Sequence, residues 1–516
     1  MSDARPILEI KDLSVARDGR AEIDRFSLTL NAGETVILLG EAGSGKDAVL
    51  RLLDGLVDRA DEVAGTLRVG ESEARPVAPR MRVPLRVAYL PGAAQRPLDP
   101  LVGAASQLAR VIARRLSCPK GAAREELRGA LARFVGAPSV EILDAPAGAL
   151  DTVTVAWGLL AAAVASTPEL VLCDHPFADM SPVAANALSK ALVEEQARLG
   201  FAMLCAAREP QAVARLKART IVLRQGRVVE EGEAAHLMAT ETHAYTQSLF
   251  RALPRPVAKP SRTVRGEPLL QVQGLVLSPE PRKTPRQRDM MGFELRRGAS
   301  LALLGETGSG RHTLLRAVLG LERRPGRILF DAVDLNLLSE AMTLRLRRRV
   351  AFVTSNDAAL DPRMTIWDTV DEPLRAHLKL SRELTAGYRD TALKRVGLAS
   401  YEGRRTVATL PPFDKRRLQV ARAIVAAPLM VVIDEPLRGL DAVAQTTMRD
   451  LLAEFRVESQ AAFVVITSDF AVAEALCDEV MVFDKGRMVE RGAVTSLAQA
   501  PKDAVTKALV EAACLV

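Results

Sequence analysis

The chain has 516 residues, 48% of them hydrophobic and 26% charged, and this composition is typical of a globular protein with two or more domains. Aromatic residues make up only 4%, which argues against binding single-stranded nucleic acid by base stacking. The net charge of +7 favours an arginine-rich solvated surface over docking to nucleic acid or anionic lipid.

Targeting and redox signals are weak in this sequence. Five scattered cysteines without a C-x-x-C spacing indicate a reducing compartment and offer no cysteine-based metal site. The first residues lack the apolar core of a signal peptide, and no apolar run approaches the roughly 18 residues that span a bilayer. We therefore expect a chain without a membrane span of its own.

The first chemical signal in chain order is the glycine-rich loop Gly40–Lys46, which follows the apolar run Val36–Leu39 and precedes a helical segment. A strand, a loop and a helix in this order form a P-loop, in which backbone N–H groups at the helix N-terminus bind phosphates. The pattern requires Ser or Thr after the lysine, but here Asp47 follows Lys46. The nucleotide-binding residues predicted in this half are Gly40, Glu41, Ala42, Gly43, Ser44, Gly45, Lys46 and Asp47.

A second loop of the same kind, Gly305–Arg311, follows the apolar run Leu301–Leu304. Its glycines match the pattern, but arginine replaces the lysine and His312 replaces the Ser or Thr. The fold of the loop is thus predicted in both copies, whereas the side-chain chemistry departs from the pattern in both. The nucleotide-binding residues predicted in this half are Gly305, Glu306, Thr307, Gly308, Ser309, Gly310, Arg311, His312 and Thr313.

The two loops belong to an internal repeat. Four pairs of matching segments occur in the same order, with offsets of 260 to 265 residues, and they include the apolar runs that end at Asp174 and at Asp434. Each half alternates short β-branched runs with helical stretches, which is typical of α/β layers with a mainly parallel sheet. Long helix-rich stretches, Leu101–Ala137 and Ile366–Leu398, separate each loop from its Asp-bearing strand.

We therefore predict an α/β fold with two P-loop NTPase domains in tandem, each with a mainly parallel sheet core and a helical insertion. The predicted domains are residues 1–253 and 267–516. The predicted linker, residues 254–266, is rich in proline and basic residues, as expected for an extended connection.

With these motifs the chain resembles the ATP-binding-cassette (ABC) ATPases, and it looks most like those of oligopeptide, dipeptide and nickel importers. Two short stretches are similar to that branch: Leu360–Thr365 with Glu372–Leu374, and His243–Leu249 with Leu253–Pro254. The resemblance implies ATP and Mg²⁺ as ligands. It also implies that the two halves pair head to tail, so that each ATP contacts the P-loop of one half and the signature segment of the other.

The resemblance assigns roles to the strand ends. Asp174 and Asp434 correspond to the aspartate that orients Mg²⁺, and Glu435 to the catalytic glutamate that polarises the attacking water. In the first half His175 replaces this glutamate and Ser181 replaces the coupling aspartate found at Asp441 in the second.

Other motifs depart further from the family. The signature falls on Leu150–Thr154 and Leu410–Asp414, which lack its serine and paired glycines; the Q-loop glutamine falls on Pro91 or Gly92 and on Thr354. Asp47 is a possible direct ligand of Mg²⁺. Because each paired site lacks a different essential group, we expect crippled hydrolysis, and the presence of ATPase activity stays open.

The sequence thus predicts the fused, two-domain ATP-binding subunit of an importer for peptides or a related small solute. Its expected partners are membrane-spanning permease subunits and, through them, a solute-binding protein, with no nucleic acid. The expected location is the cytoplasmic face of the plasma (inner) membrane. The alternatives are a catalytically silent pseudo-ATPase that senses nucleotide, and a ribosome-binding ABC protein, which the short linker and lost signatures disfavour.

Overall fold

The computed structural model describes the whole chain except residues 1–5, 59–60, 240–242, 252, 254–265, 278–289, 338–341, 343–345, 347, 357–358, 379, 400, 402 and 515–516. The chain divides into two compact units, the first built on Met1–Leu253 and the second on Pro254–Leu440 together with Ala444–Cys514. The predicted linker lies, apart from Gly266, outside the described residues.

The first unit contains two sheets. Its strands are β1 (Pro6–Arg17), β2 (Arg20–Asn31), β3 (Thr35–Leu39), β4 (Glu62–Val69), β5 (Arg75–Pro76), β6 (Val87–Pro91), β7 (Leu170–Asp174), β8 (Ala202–Ala207), β9 (Arg219–Arg224) and β10 (Arg227–Gly232). The larger sheet has the order β10-β9-β3-β8-β7-β6, in which only the edge pair β9–β10 is antiparallel. The smaller sheet, β2-β1-β4-β5, is antiparallel throughout.

The second unit repeats this plan. Its strands are β11 (Pro268–Val276), β12 (Met290–Arg296), β13 (Ser300–Leu304), β14 (Arg327–Phe330), β15 (Val333–Asp334), β16 (Val350–Thr354), β17 (Met430–Asp434), β18 (Ala462–Thr467), β19 (Glu479–Asp484) and β20 (Arg487–Ala493). They form a larger sheet, β16-β17-β18-β13-β19-β20, and a smaller one, β12-β11-β14-β15. The predicted α/β fold with a mainly parallel core in each half is confirmed. The antiparallel sheet of each unit was not predicted.

The α-helices follow the same repeat. In the first unit they span Lys46–Leu53, Ala104–Leu116, Lys120–Arg133, Thr152–Ala165, Pro182–Leu199, Gln211–Leu216, Ala234–Ala239 and Ala244–Phe250. The α-helices in the rest of the chain span Arg311–Val318, Ile366–His377, Arg382–Arg395, Pro412–Ile424, Ala442–Glu458, Phe470–Leu476, Val494–Gln499 and Ala504–Ala513. Within the described part of the chain, no helix combines the length and apolar character needed to cross a bilayer.

The core of each larger sheet is buried on both faces. In β3, Ile37 and Leu39 pack into one apolar cluster, which includes the helical insertion, while Val36 and Leu38 pack into the cluster on the opposite face. Burial on both faces explains why these strands read as continuous apolar runs and not as alternating ones. The carboxyl ends of the parallel strands therefore meet at one edge of the sheet, and each glycine loop lies at this edge.

Candidate functional site

Each glycine loop delivers the N-terminus of a helix through a left-handed glycine. Gly45 (φ 101°) and Gly310 (φ 102°) precede the helices Lys46–Leu53 and Arg311–Val318, and no side chain caps either helix. A Cβ on Gly45 would lie 2.4 Å from the Glu22 carbonyl oxygen. Glycine is therefore required at this position, and the first backbone N–H groups of both helices are left without a side-chain acceptor. This is the arrangement that binds phosphate groups.

Buried hydroxyls in both loops fit an anionic ligand. Ser44 and Ser309 are 3% and 4% exposed, and neither side-chain oxygen has a hydrogen-bond partner within the described structure. Leaving a buried hydroxyl unpaired costs about 1–3 kcal/mol. A phosphate oxygen would accept from such a hydroxyl, so both loops match the ligand that the sequence predicts for them.

The P-loop lysine of the first unit is fully buried. Lys46 is 0% exposed, and its Nζ donates to the Glu41 carbonyl oxygen at 2.9 Å, while burial lowers the pKa of its ammonium group. Tyr245, in the helix Ala244–Phe250, donates to Glu41 Oε2 at 3.3 Å. This tyrosine was not predicted as a site residue, since it lies some 200 positions from the loop that it contacts.

In the second unit the P-loop cation contacts the predicted catalytic glutamate. Arg311 is 3% exposed, and its Nη2 donates to Glu435 Oε1 at 2.8 Å. The same oxygen accepts from the Ser468 backbone N–H and hydroxyl, both at 3.1 Å, and Thr467 donates to Oε2 at 3.3 Å. A carboxylate that accepts four hydrogen bonds is poorly placed to polarise a water molecule.

The neighbouring aspartate is also engaged. His312 Nε2 lies 3.1 Å from Asp434 Oδ1 and 3.3 Å from Oδ2. Because an ionised carboxylate only accepts, this contact requires Nε2 to carry the proton. The imidazole thus covers the carboxylate that was predicted to orient Mg²⁺, and Thr313 follows in the first turn of the same helix.

The first unit brings different groups together at the same edge of the sheet. His175 Nε2 lies 3.5 Å from Asp47 Oδ1 and 3.7 Å from Asp174 Oδ1. Burial raises the pKa of the Asp47 carboxyl, but the adjacent His175 and Lys46 outweigh this effect and lower the pKa to about 2. Asp47 is therefore ionised at any physiological pH.

Asp174 has two polar neighbours that the sequence analysis missed. The Tyr89 hydroxyl donates to Asp174 Oδ2 at 2.6 Å, and the Gln95 side-chain amide donates to the same oxygen at 3.1 Å. The Q-loop glutamine was placed at Pro91 or Gly92, but the structure brings Gln95 to Asp174, the aspartate predicted to orient Mg²⁺. Gln95 is the first glutamine after β6, and this simple signal would have identified it.

The two signature segments have local roles. Asp151 caps the helix Thr152–Ala165, accepting from the backbone N–H groups of Val153 and Thr154, both at 2.9 Å. Asp414 is 8% exposed and accepts from Arg417 Nη1 at 3.0 Å and from the Tyr401 hydroxyl. The charge of Asp414 is thus compensated by Arg417 within its own unit.

The Arg311–Glu435 contact predicts how substitution of either residue changes the free energy of unfolding. Glu435→Gln removes the charged partner of the buried Arg311 guanidinium, so we expect it to lower the free energy of unfolding by about 1–3 kcal/mol. Arg311→Met should cost less, since Glu435 keeps its contacts with Ser468 and Thr467. Urea unfolding of the full chain measures both.

The double variant tests whether the two residues are coupled, and an exposed ion pair serves as the negative control. Adding Glu435→Gln to Arg311→Met should lower the free energy of unfolding further. This further loss should be smaller than the loss that Glu435→Gln causes in the parent chain, as expected for coupled residues. Asp361→Asn breaks the exposed Arg363–Asp361 pair and should leave the free energy of unfolding nearly unchanged. Strictly additive effects of the two buried substitutions would contradict the coupling.

Comparison with known proteins agrees with this geometry. The ABC transporter family profile matches residues 289–438. The ABC transporter ATP-binding protein YejF of Escherichia coli K12, described as uncharacterized, is 30% identical, and the alignment covers 98% of this chain and 99% of that protein.

Other relatives carry more specific names. The peptidoglycan transport ATP-binding protein YejF of Agrobacterium fabrum is 27% identical over 99% of this chain and 97% of its own length. The glutathione import ATP-binding protein GsiA of Escherichia coli O6:H1 is 27% identical over 99% of this chain and 90% of its own length.

Among solved structures, cbiO1 from Clostridium perfringens, part of the ABC transporter complex cbiONQ, has a TM-score of 0.41 and 25% identity and covers 45% of this chain and 91% of that one. The alignment with the Escherichia coli K12 protein spans nearly the whole length of both chains and therefore includes both glycine loops. The chain belongs to the ATP-binding proteins of the ABC transporter family, with two nucleotide-binding units in one polypeptide.

Proposed function

We propose that the chain is the fused ATP-binding subunit of an importer for peptides or a related small solute. The observation that carries this proposal is the alignment over nearly the full length of tandem relatives, two of which are named for peptidoglycan transport and glutathione import. In this role, ATP binding drives a movement that is transmitted to membrane-spanning permease subunits on the cytoplasmic face of the membrane. A separate solute-binding protein delivers the cargo.

The phosphates of ATP bind at the two helix N-termini. In the first unit the backbone of Gly40–Gly45, the Ser44 hydroxyl and the Lys46 ammonium group supply the donors; in the second unit Gly305–Gly310, Ser309 and Arg311 occupy the corresponding positions. Mg²⁺ would be held by Asp47 and Asp174 in the first unit and by Asp434 in the second. A bound ion would offset the negative charge of the phosphates.

Hydrolysis is impaired in both units, for different reasons. In the second unit the ion pair with Arg311 and the contact between His312 and Asp434 occupy both acidic residues. In the first unit His175 stands where the catalytic glutamate is expected. Loss of a general base alone costs about 10²–10⁴ in rate.

These contacts also favour the second candidate function, a catalytically silent pseudo-ATPase that senses nucleotide. Both candidates bind ATP, and they differ in whether the chain turns over ATP when it is joined to its permease. Turnover measured with the purified chain, alone and with the permease, separates them.

The importer role predicts membrane association through partners. Expressed alone, the chain should remain in the supernatant after high-speed centrifugation, and co-expressed with its permease it should sediment with membranes. Strong binding to pure lipid vesicles in the absence of permease would contradict this prediction.

Nucleotide binding should be asymmetric between the two units. Lys46 can exchange its hydrogen bond with a backbone carbonyl for one with phosphate, whereas Arg311 must leave a carboxylate. A hydrogen bond to a charged group is worth about 1.5–3 kcal/mol, so Lys46→Ala should weaken ATP binding roughly 10- to 100-fold in calorimetry. Arg311→Ala should weaken it far less.

Arg316→Ala is a matched control, since Arg316 lies in the same helix as Arg311 with a side chain that is 59% exposed. It should leave ATP affinity unchanged. Loss of binding in Arg311→Ala with normal binding in Lys46→Ala would reverse the assignment of the two units.

Hydrolysis should be recoverable by several changes made together. Arg311→Lys and His312→Ser free the two acidic residues of the second unit, and Asp151→Ser, Thr152→Gly and Val153→Gly rebuild a signature. Serine at 151 retains the helix cap. We expect at least about a tenfold gain in steady-state ATPase rate, given the cost of a missing catalytic group.

Glu435→Gln tests the source of that activity. On the rebuilt background it should abolish the gain, and in the natural chain it should change the rate little. A natural chain that hydrolyses ATP at a rate ordinary for its family, and loses this activity in Glu435→Gln, would show that the impaired-site interpretation is wrong.

A further inference from the structure

One cluster of potential metal ligands lies where β7 ends beside the first glycine loop. One ligand atom each from Asp47, Asp174 and His175 lies within 4.8 Å of the other two, and within the described part of the chain no other group of three acidic, histidine or cysteine residues is found to do so. Measured from His175 Nε2, the two carboxylate oxygens are 3.5 Å and 3.7 Å away. These atoms surround a common point.

The second observation is that the three ligand atoms are unsatisfied. His175 is 5% exposed, and among the residues that the structure describes neither of its ring nitrogens has a hydrogen-bond partner; Asp47 Oδ1 and Asp174 Oδ1 are likewise buried and unpartnered there. At 3.5 Å or more, the imidazole is too distant for a good hydrogen bond to either carboxylate. Native proteins rarely leave such groups unpaired, and a bound ion would satisfy all three.

The backbone and neighbouring side chains hold the three residues in place. Asp174 ends β7, and His175 follows in a left-handed conformation (φ 51°) with its backbone N–H donating to the Ala206 carbonyl at 3.0 Å. The hydroxyl of Tyr89 and the amide of Gln95 fix the other oxygen of Asp174. Such outer partners orient the ligands of a metal and leave Oδ1 free to bind it.

The spacing and the ligand types select the ion. Metal–ligand bonds of 2.0–2.1 Å in a tetrahedral site separate neighbouring ligands by about 3.4 Å, close to the two distances measured from His175. Mg²⁺ prefers six oxygen ligands, whereas imidazole nitrogen favours Zn²⁺ and similar first-row ions. Asp47 is 39% exposed at its side chain, which gives an ion access from solvent.

The charge of the cluster permits a divalent cation. The Lys46 ammonium group lies 3.8 Å from Asp47 Oδ1 and competes with an ion for that carboxylate. Its hydrogen bond to the Glu41 carbonyl holds it to one side. Arg208 adds a second cation near the cluster and Glu209 a third carboxylate, so the cations weaken the attraction for an added ion but do not outnumber the carboxylates.

We propose that Asp47, Asp174 and His175 bind a divalent first-row transition metal ion, of which Zn²⁺ is the representative, without nucleotide. The site shares Asp47 and Asp174 with the proposed Mg²⁺ site and goes beyond it, because His175 is a third ligand and the ion needs no phosphate oxygen. The second unit forms no such site in the structure: His312 contacts Asp434 directly, and Glu435 is paired with Arg311.

The test uses the full-length chain, stripped of metal with a chelator and free of nucleotide. Cys514 is replaced by Ser in all samples, since its thiol is exposed and a cysteine thiolate is a metal ligand that would compete for Zn²⁺. Calorimetric titration with Zn²⁺ should give one saturable site per chain, and Mg²⁺ should bind at least about tenfold more weakly. Co²⁺ at the same site should show the visible absorption of a mixed nitrogen and oxygen environment.

Three variants identify the ligands. His175→Gln and Asp47→Ser should each lower Zn²⁺ affinity at least about tenfold, the scale on which metal sites respond even to loss of an outer partner. His312→Gln is the matched control, since His312 stands at the position of the second loop that Asp47 has in the first. This variant should bind Zn²⁺ like the parent. Circular dichroism verifies that each variant is folded.

The outcomes that overturn the proposal are distinct from failure of the ATP-binding role. Absence of saturable Zn²⁺ binding, or equal affinity in the parent, His175→Gln and Asp47→Ser, would exclude the site. Mg²⁺ affinity equal to that of Zn²⁺ would exclude the transition-metal preference. ATP titrations with Mg²⁺ on the parent and Lys46→Ala report the nucleotide role separately, because the Zn²⁺ experiment contains no nucleotide.

Discussion

The site in each unit depends on a steric constraint at one glycine. Gly45 and Gly310 adopt left-handed conformations, and each Cα lies so close to neighbouring backbone that no side chain could be added. This close approach fixes the helix N-terminus against the sheet edge. It also determines where the next two side chains begin, so that Asp47 lies near Asp174 at the end of β7, and His312 near Asp434 at the end of β17.

On this common backbone the two units carry similar groups in exchanged positions. In the first unit the acid, Asp47, follows the P-loop cation and the histidine follows the strand aspartate; in the second unit His312 follows the cation and the acid follows the strand aspartate. His175 and Glu435 both adopt left-handed backbone conformations, with φ of 51° and 46°. The backbone is therefore the same, and the difference in contacts comes from the side chains.

The exchange has opposite consequences for the charges. In the second unit the longer Arg311 reaches Glu435 and His312 reaches Asp434, so the charged groups satisfy one another. In the first unit the shorter Asp47 stops short of His175, and three ligand atoms remain unpaired. Side-chain length thus decides whether the site is closed by its own ion pairs or remains ready for an external ion.

The sequence alone was sufficient for the features that local chemistry determines. Strand, glycine loop and helix follow from short patterns, and the repeat doubled the support for each pattern, so the α/β fold could be predicted. The Arg311–Glu435 and Tyr89–Asp174 contacts join residues 124 and 85 positions apart. Such contacts depend on strand order and side-chain reach, which no local pattern specifies. The Asp414–Arg417 pair, three positions apart on one helix, was within reach of sequence reasoning and was missed.

Binding and hydrolysis can be separated in this architecture because different atoms carry them. Backbone N–H groups and buried serine hydroxyls form the phosphate cradle, and substitution of the residues after the glycines leaves these donors in place. Hydrolysis, in contrast, requires a free carboxylate beside a free metal-binding aspartate, and both are engaged in the second unit. A chain can therefore lose its catalytic side chains and keep the loop and the helix N-terminus that the proposed function needs for nucleotide binding.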